Sequence, residues 1–150
     1  MTVQAGDLLW QPGAEDIAQA NLTRYMRWLS DTRGLAFASY PALWRWSVEQ
    51  PEQFWGSLWG YFAIVASAQP TAVLASRQMP GAQWFPGARL NYAENIFARA
   101  SDAQPMLLFQ SEGQPLAERS WASMRDDVAR LAAALRDLGV RPGDRVVGYL

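Results

Sequence analysis

The residues able to do chemistry in this chain are few in kind. It carries 13 arginines and 14 Asp plus Glu, but no Lys, His or Cys. That excludes Ser-His-Asp and Cys-His catalysis, His/Cys zinc sites, Schiff-base chemistry and a phosphate-loop lysine. Disulfides are excluded too, which fits a reducing compartment. Asp126 and Asp127 form the most obvious carboxylate pair. Neighbours on a helix point about 100° apart, so they cannot act as paired acid and base and read as a solvated face. Gly139, Gly143 and Gly148 invite comparison with a nucleotide loop. Their spacing is not G-x-G-x-x-G, and they precede an expected strand where such a loop must follow one. They are turn punctuation.

Two aromatic features remain. Of the eight tryptophans, seven lie between Trp10 and Trp84. They could form a stacking platform for bases or sugars, but their helical spacing and the lack of an arginine stripe assign them mainly to a core. The second feature is Trp84-Phe85-Pro86-Gly87-Ala88-Arg89-Leu90-Asn91. Aromatics beside Pro and Gly in a turn make a fixed loop that docks against something else. Trp84 and Phe85 are candidates for a plug between two domains, and Arg89 and Asn91 for a ligand contact there.

The elements that must position these residues are mostly helical. Ile17, Ala18, Leu22, Tyr25, Met26, Trp28 and Leu29 share half a helical wheel, predicting one amphipathic helix from about Ala14 to Gly34. Ser39 and Pro41 form an N-cap and first-turn proline for the next helix. Pro51 starts another, with Phe54, Trp55, Leu58, Trp59 and Phe62 as a broad buried face, closed by Pro70. Ala72–Ser76 is a short extended piece. Asn91 and Glu94 open a helix to about Arg99 as a capping box.

From Ser101 the pattern changes. Met106–Phe109 and Leu116–Arg119 read as strands around a turn at Ser111-Glu112-Gly113. Ser120 caps a helix whose apolar face is Trp121, Met124, Val128, Leu131, Leu135 and Leu138. After Gly139 and the Pro142-Gly143-Asp144 turn, Arg145–Leu150 begins a strand of the apolar type buried in parallel sheets. The expected fold class is therefore mixed. An aromatic-rich α-helical domain spans 1–100, and the opening strand–helix–strand of an α/β domain spans 101–150. A central strand with nothing after it leads to the expectation of a truncated chain.

Composition sets the remaining bounds. Half the residues are hydrophobic and 18% charged, which is globular rather than disordered. The net charge of −1 is evenly spread, giving no footprint for nucleic acid or an anionic membrane. Phe54 to Ser76 is uncharged, but its apolar centre, Leu58–Ala68, is too short and too interrupted to span a bilayer and reads as a buried helix. The first residues lack the basic region and apolar run of a signal peptide. A cytoplasmic location is expected.

Four segments carry a family resemblance: Leu43-Trp44-Arg45-Trp46-Ser47-Val48, Pro51-x-x-Phe54-Trp55, Trp84-Phe85-Pro86-Gly87-Ala88 and Leu90-Asn91-Tyr92-Ala93-Glu94-Asn95. Together they resemble the N-terminal region of the acetoacetyl-CoA synthetases (acetoacetate–CoA ligases). Leu138-Gly139-Val140-Arg141-Pro142-Gly143-Asp144-Arg145-Val146 is similar to the start of the adenylate-forming, AMP-binding large domain of that superfamily. The second and third segments are shared with acetyl- and propionyl-CoA synthetases, whose N-termini are the alternative within the enzyme class. A non-catalytic aromatic-rich interaction module is the alternative outside it.

The resemblance implies a parent enzyme that uses ATP, Mg²⁺ and CoA to convert acetoacetate into acetoacetyl-CoA, AMP and diphosphate. The family's phosphate loop, acyl pocket, CoA arginines and adenylation lysine have no counterpart in these 150 residues. By residue-wise transfer there is no catalytic, cofactor-binding or metal-binding residue here, and the piece alone is expected to be inactive. Its partner would be the remainder of its own large domain.

Overall fold

The computed structural model describes residues 3–148. The chain divides into two compact units, one ending at Arg89 and the other beginning at Leu90.

The first unit is built on four helices: α1 (Ala14–Gln19), α2 (Asn21–Arg33), α3 (Tyr40–Glu49) and α4 (Pro51–Tyr61). Charge, a side-chain cap or a proline starts three of them. The Asp16 carboxylate accepts the Gly13 N–H (2.9 Å) ahead of α1, and the Ser39 hydroxyl accepts the Ala42 N–H ahead of α3. Pro51 occupies the first turn of α4, where its missing N–H has no cost. A small antiparallel pair follows, β1 (Leu74–Ser76) and β2 (Gln83–Trp84), with a register irregularity between Leu74 and Ser76.

The core of this unit is compact and aromatic at its rim. Tyr25, Leu29 and Leu43 are buried, and Met26, Trp28, Leu35, Phe37, Trp46, Phe54, Leu58 and Tyr61 pack on them. Trp28, Trp46 and Trp59 are half-buried, while Trp10, Trp44, Trp55 and Trp84 are exposed. The tryptophans therefore frame the core rather than fill it; the enclosed volume goes to Leu29 and Ser57, the side chains fully removed from solvent.

Two helix limits differ from the sequence expectation. The helix predicted from Ala14 to Gly34 breaks at Ala20, whose ψ of 141° is extended. Its N–H turns back to the Ile17 carbonyl, and the Thr23 hydroxyl donates to the same oxygen at 2.6 Å. The break separates Ile17 from the face set by Tyr25 and Leu29 and leaves it exposed, and Leu22, in the first turn of α2, is exposed as well. Likewise α4 stops at Tyr61, nine residues before Pro70. There Ile64 N–H bonds the Trp59 carbonyl and Ala63 N–H the Gly60 carbonyl, a Schellman closure with Ala63 at φ 45°. Leu58–Ala68 is accordingly helical only through Tyr61.

The second unit contains α5 (Tyr92–Phe97), the antiparallel hairpin β3 (Leu107–Phe109) with β4 (Ala117–Arg119), and α6 (Trp121–Asp137). In the hairpin Leu107 faces Arg119, Leu108 faces Glu118 and Phe109 faces Ala117. The Ser120 hydroxyl caps α6 by accepting the Ser123 N–H at 3.1 Å. Gly139, at φ 86°, closes it with the same pair of bonds seen after α4. No residue of this unit is buried among those described. The strand expected at Arg145–Leu150 is absent from 145–148, and Tyr149 and Leu150 lie outside the described residues. Strand geometry is held by ladder bonds to a neighbour, and no described segment supplies one there.

Candidate functional site: the turn from Trp84 to Arg89

The segment singled out by its aromatics is a tightly bonded turn at the end of the first unit. Phe85 N–H donates to the Val73 carbonyl at 2.8 Å, and Thr71 N–H donates to the Pro86 carbonyl at 2.9 Å. Arg89 is held at both backbone groups. Its N–H donates to the Ala68 carbonyl at 3.0 Å, and its carbonyl accepts the Ser67 N–H at 2.7 Å, with the Ser67 hydroxyl at 3.1 Å. Residues 85–89 thus run back along 67–73, closing the unit at its last residue.

The side chains explain why the backbone takes this shape. Phe85 has φ 45°, a conformation that a bulky L-residue adopts only under constraint. Its ring stacks on Trp59 of α4, centroids 4.8 Å apart and planes 27° from parallel. Stacked pairs contribute about 0.5–1.5 kcal/mol beyond area burial, enough to offset much of the backbone cost of about 1–2 kcal/mol. Trp84 meets Trp55 edge to face at 6.0 Å, and Trp55 meets Phe54 likewise at 5.3 Å. Phe54 in turn touches Trp46 and Tyr25. One connected set of rings therefore joins the turn to the core. Gly56 is a further support: a Cβ there would sit 3.0 Å from Val73 Cγ2, so its bareness lets α4 approach the residue whose carbonyl bonds Phe85.

Beneath the rings lies a buried polar pair. The Ser57 hydroxyl donates to the Phe54 carbonyl at 2.7 Å, which leaves it to accept from the Tyr25 hydroxyl at 2.6 Å. Burial pushes the Tyr25 pKa above its usual 10.0, with Ser57 and the Arg33 guanidinium partly opposing. Arg33 itself lies over the Trp28 ring at 5.4 Å.

Of the four candidate residues, Trp84, Phe85 and Arg89 belong to the first unit and Asn91 to the second. The Asn91 side chain accepts the Glu94 N–H at 3.3 Å, so its amide caps α5. The Arg89 side chain is exposed and takes no part in the ion pairs Arg77–Glu52, Arg119–Asp127 and Arg130–Asp127. Among the described residues no three carboxylates gather as a metal-ligand set. The backbone bonds and ring contacts of this turn hold its conformation. It sets where the chain leaves the first unit.

Residues 40–96 match the family described as acetyl-coenzyme A synthetase N-terminus. Acetoacetyl-CoA synthetase from Macaca fascicularis is 36% identical over 146 residues, and acetoacetyl-coenzyme A synthetase from Rhizobium meliloti 32% identical over 148. A solved structure, acetoacetyl-CoA synthetase from Streptomyces lividans, is 49% identical and superposes with a TM-score of 0.85 across 94% of this chain. Along nearly its whole length the chain is similar to acetoacetyl-CoA synthetases. It spans about a fifth of the relatives' length: 21% of the macaque protein, 23% of the Rhizobium protein and 22% of the Streptomyces chain.

The match to the acetyl-coenzyme A synthetase N-terminus runs from α3 through α5 and so includes the whole turn and its supports. Several of those supports were not visible as such in the sequence. In the sequence Trp55 and Trp59 read only as core positions, and Gly56, Ser57, Ser67 and Thr71 lie in an uncharged run with no chemical signal of their own. An uncharged serine between Gly56 and Leu58 was the one hint of a buried hydroxyl. Its partner 32 residues earlier, Tyr25, was visible only as one position on an amphipathic helix face.

Proposed function

We propose that this chain is the opening part of an ATP-dependent acid–CoA ligase that converts acetoacetate, ATP and CoA into acetoacetyl-CoA, AMP and diphosphate. The observation that carries the reading is the Streptomyces lividans acetoacetyl-CoA synthetase, alike in sequence and fold across nearly the whole chain. Residues 1–100 are read as the helical N-terminal domain and 101–150 as the start of the AMP-binding large domain. ATP, Mg²⁺ and CoA are assigned to the rest of the parent enzyme. Trp84, Phe85, Arg89 and Asn91 remain the junction candidates. The doubly bonded backbone of Arg89 supports that role, because it fixes the direction of the outgoing chain. A cytoplasmic location goes with the reading; among the described residues no helix is long and apolar enough to cross a membrane.

Surface area favours a part of a larger body over a stand-alone interaction module. The chain exposes 12,498 Å². A folded monomer of 16.8 kDa exposes about 7,700 Å², and two separate globules of roughly 10 and 7 kDa about 9,200 Å². The excess over even the second figure is roughly 3,000 Å², several times the ~800 Å² that a standard interface covers on one partner. Leu108, Phe109, Leu131 and Leu138 of the second unit are among the residues left open.

A second reading within the class has its own support. The family matched at 40–96 is that of acetyl-coenzyme A synthetases, so acetate or propionate is the alternative acid. Two measurements test the proposal. The 150-residue chain mixed with ATP, Mg²⁺, CoA and acetoacetate should release no AMP. The complete gene product should release AMP faster with acetoacetate than with acetate or propionate. A reading frame ending at Leu150, or AMP formed by the short chain alone, would overturn it; faster turnover of acetate would select the alternative acid.

A further inference from the structure

We draw no further inference here: the strongest candidate, the uncovered apolar surface of the β3–β4 hairpin and α6 in the second unit, belongs to the large-domain reading already proposed, and nothing else in the structure shows what covers it.

Discussion

Gly87→Ala tests whether the turn at the end of the first unit is held by backbone conformation. Gly87 has φ 80°, and an added Cβ would lie 3.6 Å from Thr71 Cγ2 and 4.0 Å from the Gln69 carbonyl. Those are ordinary contacts, so the substitution costs conformation and little else. An L-residue in the left-handed region loses about 1–2 kcal/mol, and the stiffer open chain returns about 0.4–1. The net loss is about 1 kcal/mol, or close to fivefold in the opening equilibrium. Native-state hydrogen exchange reads this directly at the Phe85, Arg89 and Thr71 amides, whose acceptors are Val73, Ala68 and Pro86. All three should lose about fivefold protection together. Gly87→Asn separates conformation from bulk, because Asn tolerates the left-handed region better than Ala although it is larger. The reasoning is refuted if protection stays within twofold of the parent chain, or if Asn costs more than Ala.

Other perturbations have equally definite signs. Ala63→Gly relieves a positive φ in the closure of α4 and should stabilise the first unit by about 0.5–1 kcal/mol, seen as a higher urea midpoint by tryptophan fluorescence. Leu29→Ala, at a side chain with no exposure, should cost about 3–5 kcal/mol and unfold that unit at lower temperature by circular dichroism. Ser57→Ala orphans the buried Tyr25 hydroxyl and should cost about 1–3 kcal/mol; Tyr25→Phe leaves Ser57 bonded to Phe54 and should cost only about 1, so an inverted order in urea titrations defeats the assigned donor direction. Because the folded Tyr25 pKa is raised by burial, its stabilisation is present below the usual 10.0 and is lost as pH rises through the folded value. Urea midpoints measured from pH 8 upward should fall above pH 10 in the parent chain and fall less in Tyr25→Phe.

What the sequence revealed was mostly local. Ser39, Asn91 and Ser120 were legible as caps because an N-cap bond joins residues three apart. The Leu107–Arg119 hairpin and α6 were legible from period and turn chemistry. The break at Ala20 was not, since the wheel pattern of α1 and α2 continues smoothly across it and only a backbone turn at one alanine reveals it. The early end of α4 was hidden for a related reason: its closing residue is Ala63, not the glycine that usually marks such a position. The turn's aromatics were legible as a fixed loop, yet the partners that fix them depend on pairings far apart in the chain: Phe85 bonds Val73 and Arg89 bonds Ser67, while Phe85 stacks on Trp59 and Trp84 meets Trp55 on α4.

The two units separate local order from burial, and that separation bears on function. In the first, helix caps, the Tyr25–Ser57 pair and the ring set all converge on Leu29 and Leu43, so local and long-range terms agree. In the second, the caps and closures of α6 and the hairpin register are as regular, but every described side chain keeps contact with solvent. An isolated two-stranded hairpin is marginal in water, and most helix stability comes from packing an apolar face. Leu131 and Leu138, on the face predicted to be apolar, stand at 61% and 81% exposure. A helix and hairpin specified so well locally, with their apolar side chains left open, are what the proposed reading as part of a larger acid–CoA ligase requires.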